Sequence, residues 1–200
     1  LTGNAQITGN HAAENGGGIS LGKQNELDDS VFHMTGGTIA GNTAGSSGGG
    51  LFMQCSTKAW ISAGVIKDNQ MTGKGLTNMN FGGGGIYVNG YKGLQNGELH
   101  LTNVVITQNQ ANGTKEYPDP ANGNMIRDLG SGGGYAACPI TNTTIYVTDG
   151  VAIYRNDAKD SGNDFYVLAN AFYGIHSGEP DYELSRRMLG GAPWNWQYDR

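Results

Sequence analysis

The amino-acid sequence predicts an all-β fold, a right-handed parallel β-helix of about five coils with a C-terminal cap that contains a short helix. Three observations lead to this prediction. The chain has 35 glycines in 200 residues, more than double the usual share of about 7%. An Ile-x-x-Asn motif occurs five times, and a glycine-rich segment and a short alternating strand follow each copy. Because one such unit cannot bury its apolar face alone, the units are expected to stack.

The first element of each repeat is a short strand that ends in the Ile-x-x-Asn motif. An aliphatic residue followed by Thr or Ser precedes the isoleucine, as Leu1-Thr2 does in the first copy. The five pairs are Ile7 with Asn10, Ile39 with Asn42, Ile66 with Asn69, Ile106 with Asn109, and Ile153 with Asn156. In stacked coils we expect the isoleucines to form one interior column. The asparagines are expected to form a ladder of hydrogen-bonded amides along a corner.

The second element is the glycine run, which marks a sharp corner between strands. Glycine reaches a positive φ at no steric cost and lets neighbouring backbones approach closely. The runs occupy residues 16–18, 48–50, 82–85 and 132–134, with 162–164 (GND) as a degenerate fifth copy. A third element, a short strand of period-2 character, follows each run. These strands are predicted at residues 19–21, 51–53, 86–88, 135–137 and 165–167.

The C-terminal segment predicts a different structure. Residues 1–168 contain the repeats and form the predicted β-helix domain, whereas residues 169–200 are expected to cover its end, because exposed strand edges invite aggregation. Within this cap, residues 180–191 predict a short helix, since Leu184 and Met188 have helical spacing and two glycines follow. The aromatic residues of WNWQYD, at 194–199, suit either capping or a platform that stacks against sugars.

The two cysteines are predicted to be free thiols. Cys55 follows the second glycine run and Cys138 follows the fourth, so they lie two coils apart. If coils stack at about 4.8 Å, that separation exceeds what a disulfide tolerates.

Composition and charge argue against several classes of function. The net charge is −5 without a cluster of Lys or Arg, which argues against nucleic-acid binding. No apolar run approaches the roughly 18–20 residues that cross a bilayer, so no membrane insertion is expected in this chain. The sequence begins inside a repeat without a signal-peptide pattern, and we expect it to be a piece of a longer protein.

The candidate binding site lies where two neighbouring coils lengthen the segment between the asparagine and the next glycine run. Three coils use five residues there, whereas the third coil carries residues 70–81 and the fourth carries residues 110–131. Such insertions emerge at one edge, where solenoids usually bind ligands. The candidate ligand-binding residues are Lys74, Lys115, Tyr117, Asp119, Arg127 and Asp128. This combination suits a carbohydrate or a protein loop; alternatively, the two loops only pack on each other.

The sequence contains no motif that identifies catalytic residues or metal ligands, and no cofactor is expected. Asp157, Asp160 and Asp164 cluster near the last corner, but a sequence cluster is weak evidence for the paired carboxylates of a glycosidase. The four histidines lack metal-ligand spacing. The pattern therefore favours a non-enzymatic role. The alternative is a carbohydrate-active enzyme of β-helix fold, a glycoside hydrolase or a polysaccharide lyase.

The segments GGGI at 16–19 and 83–86 and GGGL at 48–51, together with the five Ile-x-x-Asn motifs, resemble the paired short motifs of chlamydial polymorphic membrane proteins. The chain is also similar to the pectin-lyase-like β-helix regions of surface proteins from Gram-positive gut bacteria, where segments similar to residues 145–167 close the helix. The resemblance covers about residues 1–168, although those families use Phe where this chain has Ile before the Asn. It implies a secreted or surface-attached adhesin or stalk that binds a host glycan or surface protein.

Overall fold

Three parallel β-sheets surround one apolar core in the computed structural model of the chain. The structure describes residues 1–23, 27–75, 82–90, 96–118, 123–128, 130–138, 143–148, 150–166 and 182–184. The strands of these residues, in chain order, are β1 (Gln6–Thr8), β2 (His11–Ala12), β3 (Ile19–Leu21), β4 (Val31–Ala40), β5 (Thr43–Ala44), β6 (Leu51–Met53), β7 (Lys58–Lys67), β8 (Gln70–Met71), β9 (Ile86–Val88), β10 (Glu98–Leu101), β11 (Val104–Thr107), β12 (Gln110–Ala111), β13 (Lys115–Pro118), β14 (Met125–Asp128), β15 (Tyr135–Ala137), β16 (Thr144–Val147), β17 (Ala152–Tyr154), β18 (Asp157–Ala158), β19 (Phe165–Tyr166) and β20 (Tyr182–Leu184).

Each coil contributes to all three sheets. The first sheet contains β1, β4, β7, β10, β11, β16, β17 and β20, the second contains β2, β5, β8, β12 and β18, and the third contains β3, β6, β9, β15 and β19. Every strand pair within these sheets is parallel. Each coil pairs with the next one along the chain, so the predicted parallel β-helix of five coils is confirmed.

The repeated isoleucines form the predicted interior column. The strand register places Ile7 beside Ile39, Ile39 beside Ile66, Ile66 beside Ile106, and Ile106 beside Ile153. The three central members are completely buried, and Ile7 at the first coil is partly buried. Burying one such side chain stabilises the fold by about 1.5–3 kcal/mol. The column therefore contributes to the apolar driving force for stacking, together with the other buried side chains of the core.

The glycine runs form corners, and the second coil shows why the run needs glycine. Gly48 has a φ of 64°, a conformation that side chains with a Cβ rarely adopt. There is no space for a side chain at Gly50. A Cβ there would lie 2.7 Å from the Gly85 carbonyl oxygen and 3.0 Å from Asn69 Nδ2 in the next coil. The run thus combines a turn with a close approach between coils.

The repeated asparagines form the predicted ladder. From Asn10 to Asn109, each Nδ2 donates a hydrogen bond of 2.9 Å to Oδ1 of the asparagine in the next coil. The same Oδ1 atoms accept the backbone N–H groups of the preceding asparagines. From the second coil onward, Nδ2 also donates to the carbonyl of an isoleucine one coil earlier. The amide-to-amide bonds of the ladder are therefore directional, because each donor asparagine lies one coil before its acceptor.

The ladder ends at Asp164, in the segment that the sequence pattern presents as a degenerate glycine run. Oδ1 of Asp164 accepts the Asn156 backbone N–H at 3.1 Å and Asn156 Nδ2 at 2.9 Å, the two donors that other ladder members direct to the next coil. Asn163 Oδ1 accepts the N–H of Ala158 at 2.9 Å, in the last strand of the second sheet. Asn163 and Asp164 therefore supply the acceptors that a sixth coil would otherwise supply.

Residues 182–184 differ from the prediction. They belong to the segment in which the sequence predicts a helix, but they form β20, which pairs in parallel with β16. The physical reason is the open edge of the first sheet, whose backbone N–H and C=O groups need partners. A strand can supply these partners, whereas a helix uses its own N–H and C=O groups internally. The remaining residues of the predicted cap, 169–181 and 185–200, lie outside the described residues.

The two cysteines are free and buried, as predicted. Burial raises the pKa of the Cys55 thiol, which keeps it in the less reactive protonated form. Cys138 packs with Phe52, Tyr87 and Ala136 in a small second cluster. Because Phe52 lies between the core residues Leu51 and Met53 on its strand, this cluster occupies the outer face of the third sheet.

Candidate functional site

The insertion of the fourth coil folds as a β-hairpin. Strands β13 and β14 pair antiparallel, from Lys115 opposite Asp128 to Pro118 opposite Met125. Among the described residues, the other strand pairs are all parallel, and β13 with β14 is the exception. The sequence favours a turn between the strands, because Asn122-Gly123 is a strong turn dipeptide and Gly123 has a φ of 74°. The length of residues 110–131 predicts an insertion at this edge, and the structure shows that part of it forms a β-hairpin.

The hairpin stands out from the coils. The described side chains of Glu116, Pro118, Asn124 and Met125 are exposed, and Met125 retains 59% of its accessible surface. An apolar side chain with that exposure contributes little to folding through burial. The hairpin thus offers accessible surface for an interaction.

The base of the hairpin is joined to the shorter insertion of the third coil. Thr114 Oγ1 donates a hydrogen bond of 3.0 Å to the carbonyl oxygen of Gly73. On the other side of the hairpin, the carbonyl of Gly130 accepts the N–H of Asp160 at 3.2 Å. Lys74 follows Gly73 directly and is exposed. The two insertions therefore emerge at one edge of the solenoid, and the fifth coil supports the hairpin from the other side.

The structure brings most of the predicted site residues to this edge. Lys115, Tyr117, Arg127 and Asp128 lie in the two hairpin strands, where the backbone register places Lys115 opposite Asp128 and Arg127 opposite Glu116. Lys74 lies in the neighbouring insertion, while Asp119 lies outside the described residues. We name residues 72–75 and 112–130 the hairpin edge.

A second group of side chains, which the sequence does not reveal as a site, lies on the outer face of the first sheet. His33, Trp60, His100 and Tyr146 occupy equivalent register positions in four successive coils. Neighbouring rings stack with centroids 5.4, 5.1 and 4.4 Å apart and with interplanar angles of 16°, 9° and 17°. We name these four residues the aromatic column. Each member precedes the aliphatic residue and the hydroxyl residue of its repeat, so alignment one position further upstream would have shown the column.

Polar rows flank the aromatic column on both sides. Glu98 accepts a hydrogen bond from the His100 ring at 2.5 Å and forms an ion pair of 3.2 Å with Lys58. On the other side, the hydroxyl groups of Thr102 and Thr148 lie 2.6 Å apart. Burial alone would raise the pKa of Glu98, but the hydrogen bonds from His100 and Lys58 together lower it below its ordinary value of 4.5.

The Glu98 contacts predict an acid-dependent loss of stability. A carboxyl whose pKa is lower in the folded state stabilises the fold above its unfolded pKa, and this contribution disappears as pH falls through the folded pKa. We therefore expect Glu98→Gln to flatten the fall in the free energy of unfolding below about pH 4.5. Urea unfolding measured between neutral pH and pH 3 checks this, with Asp29→Asn at an exposed carboxylate as the control. An acid limb as steep in Glu98→Gln as in the wild type would contradict the prediction.

The acidic cluster near the last corner has structural partners. Asp160 Oδ2 accepts a hydrogen bond of 3.0 Å from Ser131 Oγ, and Asp164 ends the asparagine ladder. In the part of the chain that the structure describes, no group of three or more His, Cys, Asp or Glu residues is arranged to hold a metal ion. The same residues include no helix with the length and apolar character to cross a membrane.

The fold and these surfaces define a stacked-repeat protein, a parallel β-helix with an asparagine ladder and a projecting hairpin. Comparison with known proteins found no match to a protein-family model, to a curated protein or to a solved structure. Function is therefore inferred from the geometry of the chain itself.

Proposed function

We propose that this chain is part of a secreted or cell-surface bacterial adhesin or stalk, and that its hairpin edge binds a host glycan or a surface protein. The observation that supports this proposal is the exposed hairpin of β13 and β14. Ordering a backbone costs about 1–2 kcal/mol per residue, and an isolated two-stranded hairpin is marginally stable. A hairpin whose described side chains Glu116, Pro118, Asn124 and Met125 are all exposed is best explained by a contact outside the fold.

The coil does not need the hairpin in order to close. Bridges align Ser47, Gly82 and Ser131 in successive coils, so residues 112–130 of the fourth coil occupy the position that Gly45 and Ser46 fill in the second. Both coils place the next glycine run in register. The two-residue connection of the second coil therefore shows that the fold can dispense with the longer one.

The residue types at the hairpin edge suit a polar ligand. Arginine binds carboxylates and hydroxyl oxygens through a planar fork of donors, and tyrosine provides a large contact area at a low entropic cost. The edge combines Tyr117 with three cations, Lys74, Lys115 and Arg127, and with the carboxylates Asp119 and Asp128. Mixed charges of this kind fit a glycan with polar substituents or a protein loop better than they fit a uniform polyanion.

Replacement of residues 112–130 by Gly-Ser, the connection of the second coil, tests the proposal. We expect apparent affinity for the recognised glycan on a host-glycan array, or for host-cell surface protein, to fall about tenfold or more. The free energy of unfolding should change by only about 1 kcal/mol, because the side chains described between residues 114 and 125 are exposed. The point variants Lys74→Ala and Arg127→Ala, which leave the backbone intact, should each weaken binding.

Two outcomes would count against the proposal. Equal binding by the shortened chain and the wild type would remove the hairpin edge from the function. Release of new reducing ends or unsaturated sugars from the bound glycan would indicate a carbohydrate-active enzyme instead of an adhesin.

A further inference from the structure

The outer face of the first sheet presents three parallel rows along the helix axis. The aromatic column forms the central row; His33 is exposed and the other three rings are half-buried. One flanking row carries the Lys58–Glu98 ion pair. The other side carries a less regular row of hydroxyl groups, those of Thr35 and Ser62, which are exposed, and of Thr102 and Thr148. A register shift pairs Thr35 with Ala63 and not with Ser62. This face lies away from the hairpin edge, which interrupts the connection between the second and third sheets.

The rings present their edges to solvent. Because each ring stacks on its neighbour across adjacent strands, the faces of the rings cover one another. Ring edges carry the positive part of the aromatic quadrupole, and His, Trp and Tyr carry N–H or O–H groups at the ring edge. The column therefore offers C–H edges that recur once per coil, at intervals of about 4.8 Å, together with ring N–H and O–H groups, of which the His100 Nε2 is already bonded to Glu98.

The pattern of charge and spacing defines the kind of ligand. Lys58 is paired with Glu98, so the face offers little net positive charge to a polyanion. A contact pattern that repeats along a straight line matches a ligand whose own groups repeat. We propose that the outer face of the first sheet binds an uncharged linear polysaccharide, which lies along the helix axis and contacts the aromatic column.

Affinity gel electrophoresis of the whole chain tests this proposal with four polymers. Three are uncharged, a mixed-linkage β-glucan, a xyloglucan and a galactomannan, and the fourth is the polyanion polygalacturonate. At least one uncharged polymer should retard migration of the wild type. Trp60→Ala should weaken that interaction about tenfold, a typical loss for an aromatic contact residue. Trp60→Phe, which retains a ring, should keep most of it.

Two further variants distinguish binding at this face from damage to the fold and from binding at the hairpin edge. Because Trp60→Ala removes two ring contacts, its fold must be checked by circular dichroism. Ser62→Asp places a charge on the exposed hydroxyl row without removing a ring and should also weaken binding. The chain with residues 112–130 replaced by Gly-Ser should bind as the wild type does, whether or not the hairpin edge proves to be an adhesive surface.

The proposal is overturned by any of three results. The first is no retardation by the three uncharged polymers, with or without retardation by polygalacturonate. The second is unchanged binding in folded Trp60→Ala and Ser62→Asp. The third is loss of binding in the shortened chain alone, which would assign polysaccharide binding to the hairpin edge.

Discussion

Replacement of Asn69 by alanine is expected to lower the free energy of unfolding by about 3–5 kcal/mol. Asn69 is completely buried. Its Oδ1 accepts the N–H and Nδ2 of Asn42, and its Nδ2 donates to the Ile39 carbonyl and to Asn109 Oδ1. Alanine leaves the Asn42 N–H without its acceptor and removes one of the two acceptors of Asn42 Nδ2, which still donates to the Ile7 carbonyl. The Ile39 carbonyl loses the hydrogen bond from Asn69 Nδ2. Each buried polar group that loses its partner costs about 1–3 kcal/mol.

The first member of the ladder provides the matched control. Asn10 is exposed, and its N–H and Nδ2 donate to Asn42 Oδ1. Asn10→Ala keeps the backbone donor and should cost about 1 kcal/mol or less. Urea unfolding of both variants measures the difference. Equal losses at the two positions would show that burial of the ladder does not determine its energetic contribution.

The same ladder explains why the fold could be predicted from the sequence. A parallel β-helix places one position of every repeat on one column, so a requirement of the column appears as a recurring residue type. Ile39 and Asn42 recur because the interior needs an aliphatic side chain and the corner needs an amide that both donates and accepts. Glycine recurs at the third run position because Gly50 must leave space for Asn69.

Features that occur once, or that vary along a column, could not be predicted in the same way. The conformation of residues 115–128 has no second copy in the chain, so only the length of the insertion indicated an unusual edge. The aromatic column repeats a ring but not a residue type, since His33, Trp60 and Tyr146 share stacking and little else. Strand β20 depends on an open sheet edge, which helical spacing within residues 180–191 does not reveal.

The rigidity of the corner links the fold to the proposed function. The hairpin leaves the solenoid next to β12, which pairs with β8 on one side and β18 on the other. Its base is fixed by the Thr114–Gly73 and Asp160–Gly130 hydrogen bonds. Binding residues on a fixed base lose less entropy when a ligand binds than residues on a free loop. A solenoid corner is therefore a suitable position for a hairpin with the proposed binding role.

Replacement of Asp164 by glycine is expected to lower the free energy of unfolding by about 2–3 kcal/mol. The replacement nevertheless makes the sequence of the fifth run more similar to the glycine runs of the other coils. Those runs leave space for the asparagine of a following coil; Gly134, for example, accommodates Asn156. Asp164 instead supplies the acceptor for the N–H and Nδ2 of Asn156, which is 6% exposed.

Asp164→Asn is the matched variant for this position, because it keeps a side-chain oxygen as acceptor and removes only the charge. We expect it to cost about 1 kcal/mol, the difference between a charge-assisted and a neutral hydrogen bond. Urea unfolding ranks the two variants, and hydrogen exchange at the Asn156 amide should accelerate more in Asp164→Gly. If Asp164→Gly were as stable as the wild type, the end of the ladder would need no acceptor. The repeat pattern, which favours glycine at position 164, would then describe this corner better than the hydrogen bonds do. Glycine fits wherever the backbone must turn, whereas an acceptor is needed only at the last coil.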